Sequence, residues 1–163
     1  MTARSDLSRL VRAGLLTALV DGLFSSLLAV FIYRTGFARL WQGVASTLLG
    51  PSAINGGTTP VLIGLLMHLG VAFGWSTVFL VLLYRRRWIQ NLLASPNGVL
   101  KVAALYGPCI WLVMSLVVIP LLVHRPTAIT VRWWVQLIGH IPFVAVPIVS
   151  SIAGARGEPA GAP

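Results

Sequence analysis

The chain has 163 residues, of which 57% are hydrophobic and 9% are charged, and its formal net charge is +9. Its mean hydropathy of +0.90 excludes an ordinary soluble domain and indicates a membrane protein. The basic residues lie almost entirely at the ends of apolar runs, which is typical of topology signals and lipid anchors rather than of nucleic-acid binding. We therefore predict a protein of the lipid bilayer that binds no nucleic acid.

Four apolar runs predict four transmembrane helices. Each run is long enough to cross the hydrocarbon core as a helix, the only open-chain element that satisfies its own backbone hydrogen bonds there. The predicted spans are 13–33, 60–84, 102–123 and 133–152. The predicted fold class is all-α, a polytopic four-helix bundle that forms one integral membrane domain over residues 1–163. The tail, 154–163, is rich in Gly, Ala and Pro and is predicted to be disordered.

The distribution of basic residues predicts the orientation of the chain. Eight Lys and Arg residues fall on the side of the two termini and four on the opposite side, so the positive-inside rule places both termini in the cytoplasm. Three of the eight, Arg85, Arg86 and Arg87, follow one another between the second and third spans. We predict that they contact anionic lipid headgroups.

A short amphipathic helix is predicted in the first outer loop. Apolar residues recur there with helical spacing, and the pattern stops at Gly50 and Pro51. The apolar positions are Phe37, Leu40, Trp41, Val44, Leu48 and Leu49. We favour a helix lying in the membrane interface, and the alternatives are a cap over the bundle and a re-entrant segment.

Small residues mark the faces on which the spans are predicted to pack. Such residues let helices approach closely enough for dispersion contacts that lipid cannot replace. The predicted packing positions are Gly14, Ala18 and Gly22 on the first span, Gly70 and Gly74 on the second, and Ala103 and Gly107 on the third. We expect them to pack within the bundle, with a homodimer seam as the alternative.

Asp21 is the only acid inside an apolar run. It adjoins Gly22 on the small-residue face, so its side chain is predicted to point into the bundle, because a charge near the middle of a bilayer is costly. Depth estimates from the predicted spans favour Trp75, Ser76 and Thr77 on the second span as its neighbours, rather than either intramembrane histidine. With no cation at its depth, Asp21 is expected to be protonated and uncharged.

The fourth span carries a polar stripe that is predicted to be separate from Asp21. Arg132, Gln136 and His140 recur every four residues and descend from the outer end towards the midplane. The stripe is either the wall of an outward-facing vestibule or proton route, or an interfacial Arg above two hydrogen-bonded bundle residues. His68 on the second span is either a satisfied interior histidine or a ligand.

The candidate proton- or solute-binding residues are therefore Asp21, His68, Ser76, Thr77, Gln136 and His140. Two histidines on separate helices are a set that can ligate haem b, but no further cofactor signal accompanies them, and we predict no cofactor and no metal. The single cysteine, Cys109, has no partner for an intrachain disulfide.

Short motifs with a recognisable pattern are spread over roughly residues 10 to 150. They are Asp21-Gly22, Gln42-Gly43, Leu49-Gly50-Pro51, His68, Phe73-Gly74, Tyr106-Gly107, Val113-Met114, Val117-Val118-Ile119-Pro120 and His140. In these motifs the chain resembles a family of small uncharacterised bacterial four-helix inner-membrane proteins. The resemblance implies a multi-pass protein of the bacterial inner membrane, and it implies no catalytic or ligand residue.

No enzyme signature accompanies these residues. The chain has one intramembrane carboxylate and no HExxH or GxSxG pattern, and Cys109 has no base near it in sequence. We therefore predict a non-enzymatic membrane protein with a polar pocket that binds a proton or a small solute, either as a single chain or as an oligomer, since four spans alone enclose little space. The alternative is a structural or accessory subunit that packs against another membrane protein through its small-residue faces.

Overall fold

The computed structural model describes residues 3–154, and within them the chain forms six longer helices, one short 3-10 helix (Pro51–Asn55) and no strand. Four of the helices contain a π-helical turn, in which each backbone hydrogen bond spans one extra residue. The helices are α1 (Ala3–Leu27, continuing as the π turn Leu28–Ile32), α2 (Phe37–Leu49), α3 (Thr58–Val78, continuing as the π turn Phe79–Leu83), α4 (Arg87–Ala94), α5 (Gly98–Val113, the π turn Met114–Val118 and Ile119–Val123) and α6 (Val131–Gly139, the π turn His140–Ala145 and Val146–Ala153).

Four of these helices are long and apolar enough to cross a membrane. The candidate spans are Ser5–Ile32, Thr58–Leu83, Gly98–Val123 and Val131–Ala153. They confirm the predicted all-α bundle, and exposed apolar side chains such as Leu66 and Ile138 on its surface are typical of contact with lipid. The tail predicted to be disordered lies outside the described residues, apart from Gly154.

The apolar core lies in one half of the bundle. We call the end where α1 starts and α6 finishes the terminal end, and the opposite end, next to α2, the distal end. Buried core residues come from the start of α1, the end of α3, α4, the start of α5 and the end of α6, so the core fills the terminal half. Phe79, Val102, Ile148 and Ile152 in this core are each no more than 1% exposed.

Two of the predicted packing glycines lie at close helix contacts. A Cβ added to Gly14 would lie 2.7 Å from the ring of Phe73, and one added to Gly107 would lie 2.6 Å from the carbonyl oxygen of His140. Ala103, one turn before Gly107, is fully buried. The small residues therefore let α1 approach α3, and α5 approach α6, at distances that a larger side chain does not permit.

Gly70 and Gly74 face away from the bundle. Both are exposed, and a Cβ added at either position would meet no atom within 4 Å. The prediction that this pair packs inside the bundle is therefore wrong. The face of α3 that contacts α1 carries His68 and Phe73 instead, which meet Gly22 and Gly14.

The amphipathic helix predicted in the first outer loop is present as α2. Trp41 and Ala45 on it are 2% and 0% exposed, whereas Phe37 and Leu48 are exposed. α2 crosses α3 at Gly64, where an added Cβ would lie 2.8 Å from the carbonyl carbon of Trp41. α2 therefore combines the exposed apolar residues of an interfacial helix with a buried face that closes one side of the distal half.

Candidate functional site

A cavity of about 620 Å³ occupies the distal half of the bundle. It lies between α1, α2, α3, α5 and α6, and most of its wall is apolar, with residues such as Met67, Met114, Ile119 and Val144. A volume of this size is within the range of pockets that hold a drug-sized molecule.

Four of the six candidate residues predicted from the sequence line this one cavity. They are Asp21 on α1, His68 on α3, and Gln136 and His140 on α6. Three separate helices therefore bring ionisable or polar side chains to the same wall. Such groups have a high free-energy cost in a membrane-spanning segment unless they face one another or a cavity.

Ser76 and Thr77, the other two candidates, do not line the cavity. Ser76 is buried and donates to the carbonyl oxygen of Ala72, 2.8 Å away, and Thr77 is exposed and donates to the carbonyl oxygen of Phe73, also at 2.8 Å. Both hydroxyls thus bond to the preceding turn of their own helix, which a Ser or Thr inside a helix commonly does. The prediction that they are the neighbours of Asp21 is wrong.

Asp21 and His68 form a close pair on the cavity wall. Nδ1 of His68 lies 3.8 Å from Oδ2 of Asp21, and Nε2 of the same ring lies 3.1 Å from the carbonyl oxygen of Ala18. Because a carbonyl oxygen only accepts, we assign the proton of the neutral ring to Nε2, which leaves Nδ1 facing the carboxyl group. The expectation that neither histidine lies beside Asp21 is therefore wrong, since His68 faces its carboxyl group.

His140 is held in a similar way by its own helix. It is 8% exposed and begins the π turn of α6, and its Nδ1 lies 2.7 Å from the carbonyl oxygen of Gln136. By the same reasoning Nδ1 donates that hydrogen bond, so Nε2 of the neutral ring is a hydrogen-bond acceptor. π turns are often found at functional sites, because the extra residue changes the direction of a side chain.

Arg39 and Arg132 stand at the mouth of the cavity. Both are exposed, and the guanidinium carbon of Arg132 lies 4.2 Å from the centre of the Tyr33 ring, a cation–π contact. Arg132, Gln136 and His140 all line the cavity, so the stripe predicted on the fourth span runs from the mouth to the buried His140. This geometry is that of a vestibule wall, and proton conduction along it stays a prediction.

Three tryptophans line the cavity: Trp75, which was predicted to lie near Asp21 in depth, and Trp41 and Trp111, which were not predicted from the sequence. The ring centre of Trp41 lies 5.1 Å from that of His68, and the ring centre of Trp111 lies 4.8 Å from that of His140. No pattern marks these positions, because a tryptophan in an apolar run fits any buried or interfacial site equally well.

Comparison with known proteins identifies no relative of this chain. No protein-family model matches the chain, and no curated protein or solved structure is significantly similar to it. Within residues 3–154, no group of three or more His, Cys, Asp or Glu side chains is placed to hold a metal ion. The fold and the site together define a multi-pass helical membrane protein with a core in one half and a cavity in the other.

Proposed function

We propose that the chain is a non-enzymatic membrane protein whose cavity binds a small solute or a proton. The observation that carries this proposal is the convergence of Asp21, His68, Gln136 and His140 on one cavity. Ionisable groups inside membrane-spanning segments are rare and usually mark solute or proton pathways. Because the four side chains come from three helices, a hydrogen bond between one pair of helices does not account for them.

Asp21 and His68 together can hold one exchangeable proton. Their facing atoms are 3.8 Å apart, which is somewhat longer than a hydrogen bond, so a small rotation of either side chain or one water molecule joins them. His140 offers Nε2 as a further acceptor on the same wall. A proton and a hydrogen-bonding solute thus use the same groups.

The proposed orientation places both termini in the cytoplasm of a bacterial cell, with the chain in the inner membrane. It follows from the excess of basic residues at the terminal end and from the family resemblance. The mouth of the cavity then opens on the opposite side. Arg85, Arg86 and Arg87, which are all exposed, lie at the cytoplasmic headgroups and contact anionic lipids.

The first test asks whether the cavity is hydrated. With Cys109 replaced by Ser, a Gln136→Cys variant places a thiol on the cavity wall, and an Ile138→Cys variant places one on the outer surface, where Ile138 is 65% exposed. We expect a charged methanethiosulfonate reagent to label the first variant in membrane vesicles and not the second, because the reactive thiolate forms in contact with water. Equal labelling, or none at position 136, contradicts a hydrated cavity.

The second test asks whether Asp21 is required for proton movement. Asp21→Asn preserves the size of the side chain and removes its charge, and Asp6→Asn at the terminal end, where Asp6 pairs with Arg85, is the matched control. In proteoliposomes that enclose a pH-sensitive dye, we expect Asp21→Asn to lower proton flux by about tenfold or more and Asp6→Asn to leave it unchanged. An unchanged flux in Asp21→Asn argues against Asp21 as a proton-carrying residue.

A second function, that of an accessory or self-associating subunit, is favoured by the outward face of α3. Gly70 and Gly74 form a GxxxG pair that no described residue covers. Replacing both with Leu fills this face without disturbing the bundle, and Ala104→Leu, at an exposed position of α5, is the control. We expect only the α3 variant to dissociate complexes on a native gel, and intact complexes in that variant contradict this second function.

A further inference from the structure

Five buried polar atoms without a hydrogen-bond partner belong to residues that line the cavity. They are Thr17 Oγ1, Asp21 Oδ1, Tyr33 OH, Trp41 Nε1 and Trp111 Nε1. None of the five has a partner among the described residues. Buried polar groups in proteins are almost always paired, so five unpaired ones in residues that line one cavity indicate that the cavity receives a molecule with polar groups.

The chemistry of these atoms restricts that partner. The two indole N–H groups only donate, Asp21 Oδ1 accepts when the carboxyl group is ionised, and the hydroxyls do both. His140 adds Nε2 as an acceptor, because its Nδ1 donates to Gln136. A group that only donates or only accepts leaves part of this set unpaired, whereas a hydroxyl group satisfies both kinds of partner.

The charges around the cavity disfavour an ionic partner. A cationic group beside Asp21 competes with the proton that Asp21 shares with His68, whose facing atom lies 3.8 Å away, and an anionic group there is repelled by the carboxyl oxygens. The guanidinium groups of Arg39 and Arg132 line the mouth, and Arg132 is about 12 Å along α6 from His140. A neutral molecule meets neither competition nor repulsion, and it enters an apolar site without the cost of desolvating an ion.

The remainder of the wall suits a flat apolar body. Trp41, Trp75 and Trp111 provide aromatic faces, and Met67 and Met114 provide flexible side chains that adapt to the shape of a ligand. The volume of about 620 Å³ is large enough for a molecule of several fused rings.

We propose that the cavity binds a neutral lipophilic molecule that carries a hydroxyl group. The hydroxyl group pairs with Asp21 Oδ1 and Thr17 Oγ1, which belong to successive turns of α1, and the apolar body lies against the tryptophans. This inference rests on the proposed function, since it names the class of solute that the same cavity takes. The inference assigns different roles to the residues of the cavity wall: Asp21 and Thr17 bind the hydroxyl group of the ligand, and the tryptophans bind its apolar body.

A matched series of anthracene probes tests this inference on the full-length protein in lipid nanodiscs. The probes are 9-anthracenemethanol, 9-methylanthracene, 9-anthraceneacetate and protonated 9-(aminomethyl)anthracene, which share one body and differ in the polar group. Energy transfer from tryptophan to anthracene reports binding, because three of the six tryptophans line the cavity. Nanodiscs without the protein give the background from partition into lipid. We expect the alcohol to bind about three- to tenfold more tightly than the methyl compound, and more tightly than either ion.

Two substitutions and two controls locate the binding site of the alcohol. Asp21→Leu and Thr17→Val each remove one unpartnered polar atom while keeping similar bulk, and each should bring the affinities for the alcohol and the methyl compound closer together. Asp6→Asn and Thr77→Val make comparable changes outside the cavity and should leave the ratio unchanged. Thr17→Val keeps the test valid if Asp21→Leu does not fold.

Each outcome decides the inference. Equal affinity for the alcohol and the methyl compound, or a preference for the acid or the amine, overturns the hydroxyl class while the cavity remains a solute site. The absence of saturable binding by all four probes overturns the inference as well. In that case, labelling of the Gln136→Cys variant shows independently whether the proposed function, a hydrated solute-binding cavity, fails as well.

Discussion

Gly64→Ala is expected to displace α2 from the bundle. The added methyl carbon would lie 2.8 Å from the carbonyl carbon of Trp41 and closer still to its oxygen, whereas ordinary van der Waals contact begins at 3.4 Å. The added carbon is attached directly to the backbone of α3, and the atoms that it meets are backbone atoms of α2, so no side-chain rotation relieves the clash, and α2 must withdraw by about 1 Å. Overpacking of this kind costs about 1–3 kcal/mol, and the withdrawal also loosens the contact between Trp41 and His68.

Gly70→Ala is the matched control on the same helix. Its added methyl group meets nothing within 4 Å, so the only expected effect is the better helix propensity of alanine, a change between zero and about 1 kcal/mol of stabilisation. Unfolding in mixed micelles of dodecylmaltoside and increasing SDS, followed by tryptophan fluorescence, measures the free energy of unfolding of both variants. If the two variants unfold within about 0.5 kcal/mol of each other, the close crossing of α2 and α3 at Gly64 is refuted.

Two further substitutions, at residues that do not themselves line the cavity, test a hydrogen bond and an ion pair. Tyr106→Phe removes the bond from the phenol to the carbonyl oxygen of Trp75, 2.7 Å long, and should lower the free energy of unfolding by about 0.5–1.5 kcal/mol in the same assay; no change shows that this bond contributes nothing. Asp6→Asn breaks the pair with Arg85, whose atoms are 3.1 Å apart at the surface, and should cost about 1 kcal/mol or less. That loss should disappear in about 1 M salt, because the exposed pair is screened, and a loss that persists there contradicts an electrostatic origin.

The number and approximate position of the spans could be predicted because the bilayer imposes a simple length requirement. An apolar run of about 20 residues has no alternative to a membrane-spanning helix, so the four runs were sufficient. The ends were less predictable. The candidate first span begins at Ser5 instead of residue 13, and the third begins at Gly98 instead of residue 102, because backbone hydrogen bonding continues past the apolar stretch into the interface.

The misplaced ends explain why the pairing of Asp21 with His68 was missed. Counted from the observed spans, Asp21 and His68 each lie about 4 Å towards the distal end from the midpoint of their helices, and His140 lies about 3 Å from its own. Counted from the predicted run 13–33, Asp21 fell on the other side of the midpoint. An error of eight residues at the start of the first span, with a smaller one in the second, thus produced an apparent separation in depth of about 9 Å between two residues that lie at the same depth.

The remaining features of the site depend on packing that no local pattern records. The sequence predicts that α2 is amphipathic, but it does not say that α2 crosses α3 at Gly64, because the close approach needs only one small residue among the many that a membrane helix contains. The outward direction of Gly70 and Gly74 was unpredictable for the same reason. Which of two small-residue faces turns inward is decided by the partner helices, through residues such as Gly14 and Phe73.

The separation of core and cavity has a consequence for motion. The terminal half is tied together by residues that are fully buried, such as Phe79 and Ile148, while the distal half surrounds empty volume. Local opening is least costly where buried apolar contacts are fewest, so amide exchange should be fastest near the mouth and slowest around the core. The helices are therefore held most firmly in the terminal half, and their distal ends are the parts that can move apart. A molecule too wide for the mouth of the cavity can enter when the distal ends separate, without any rearrangement of the terminal half.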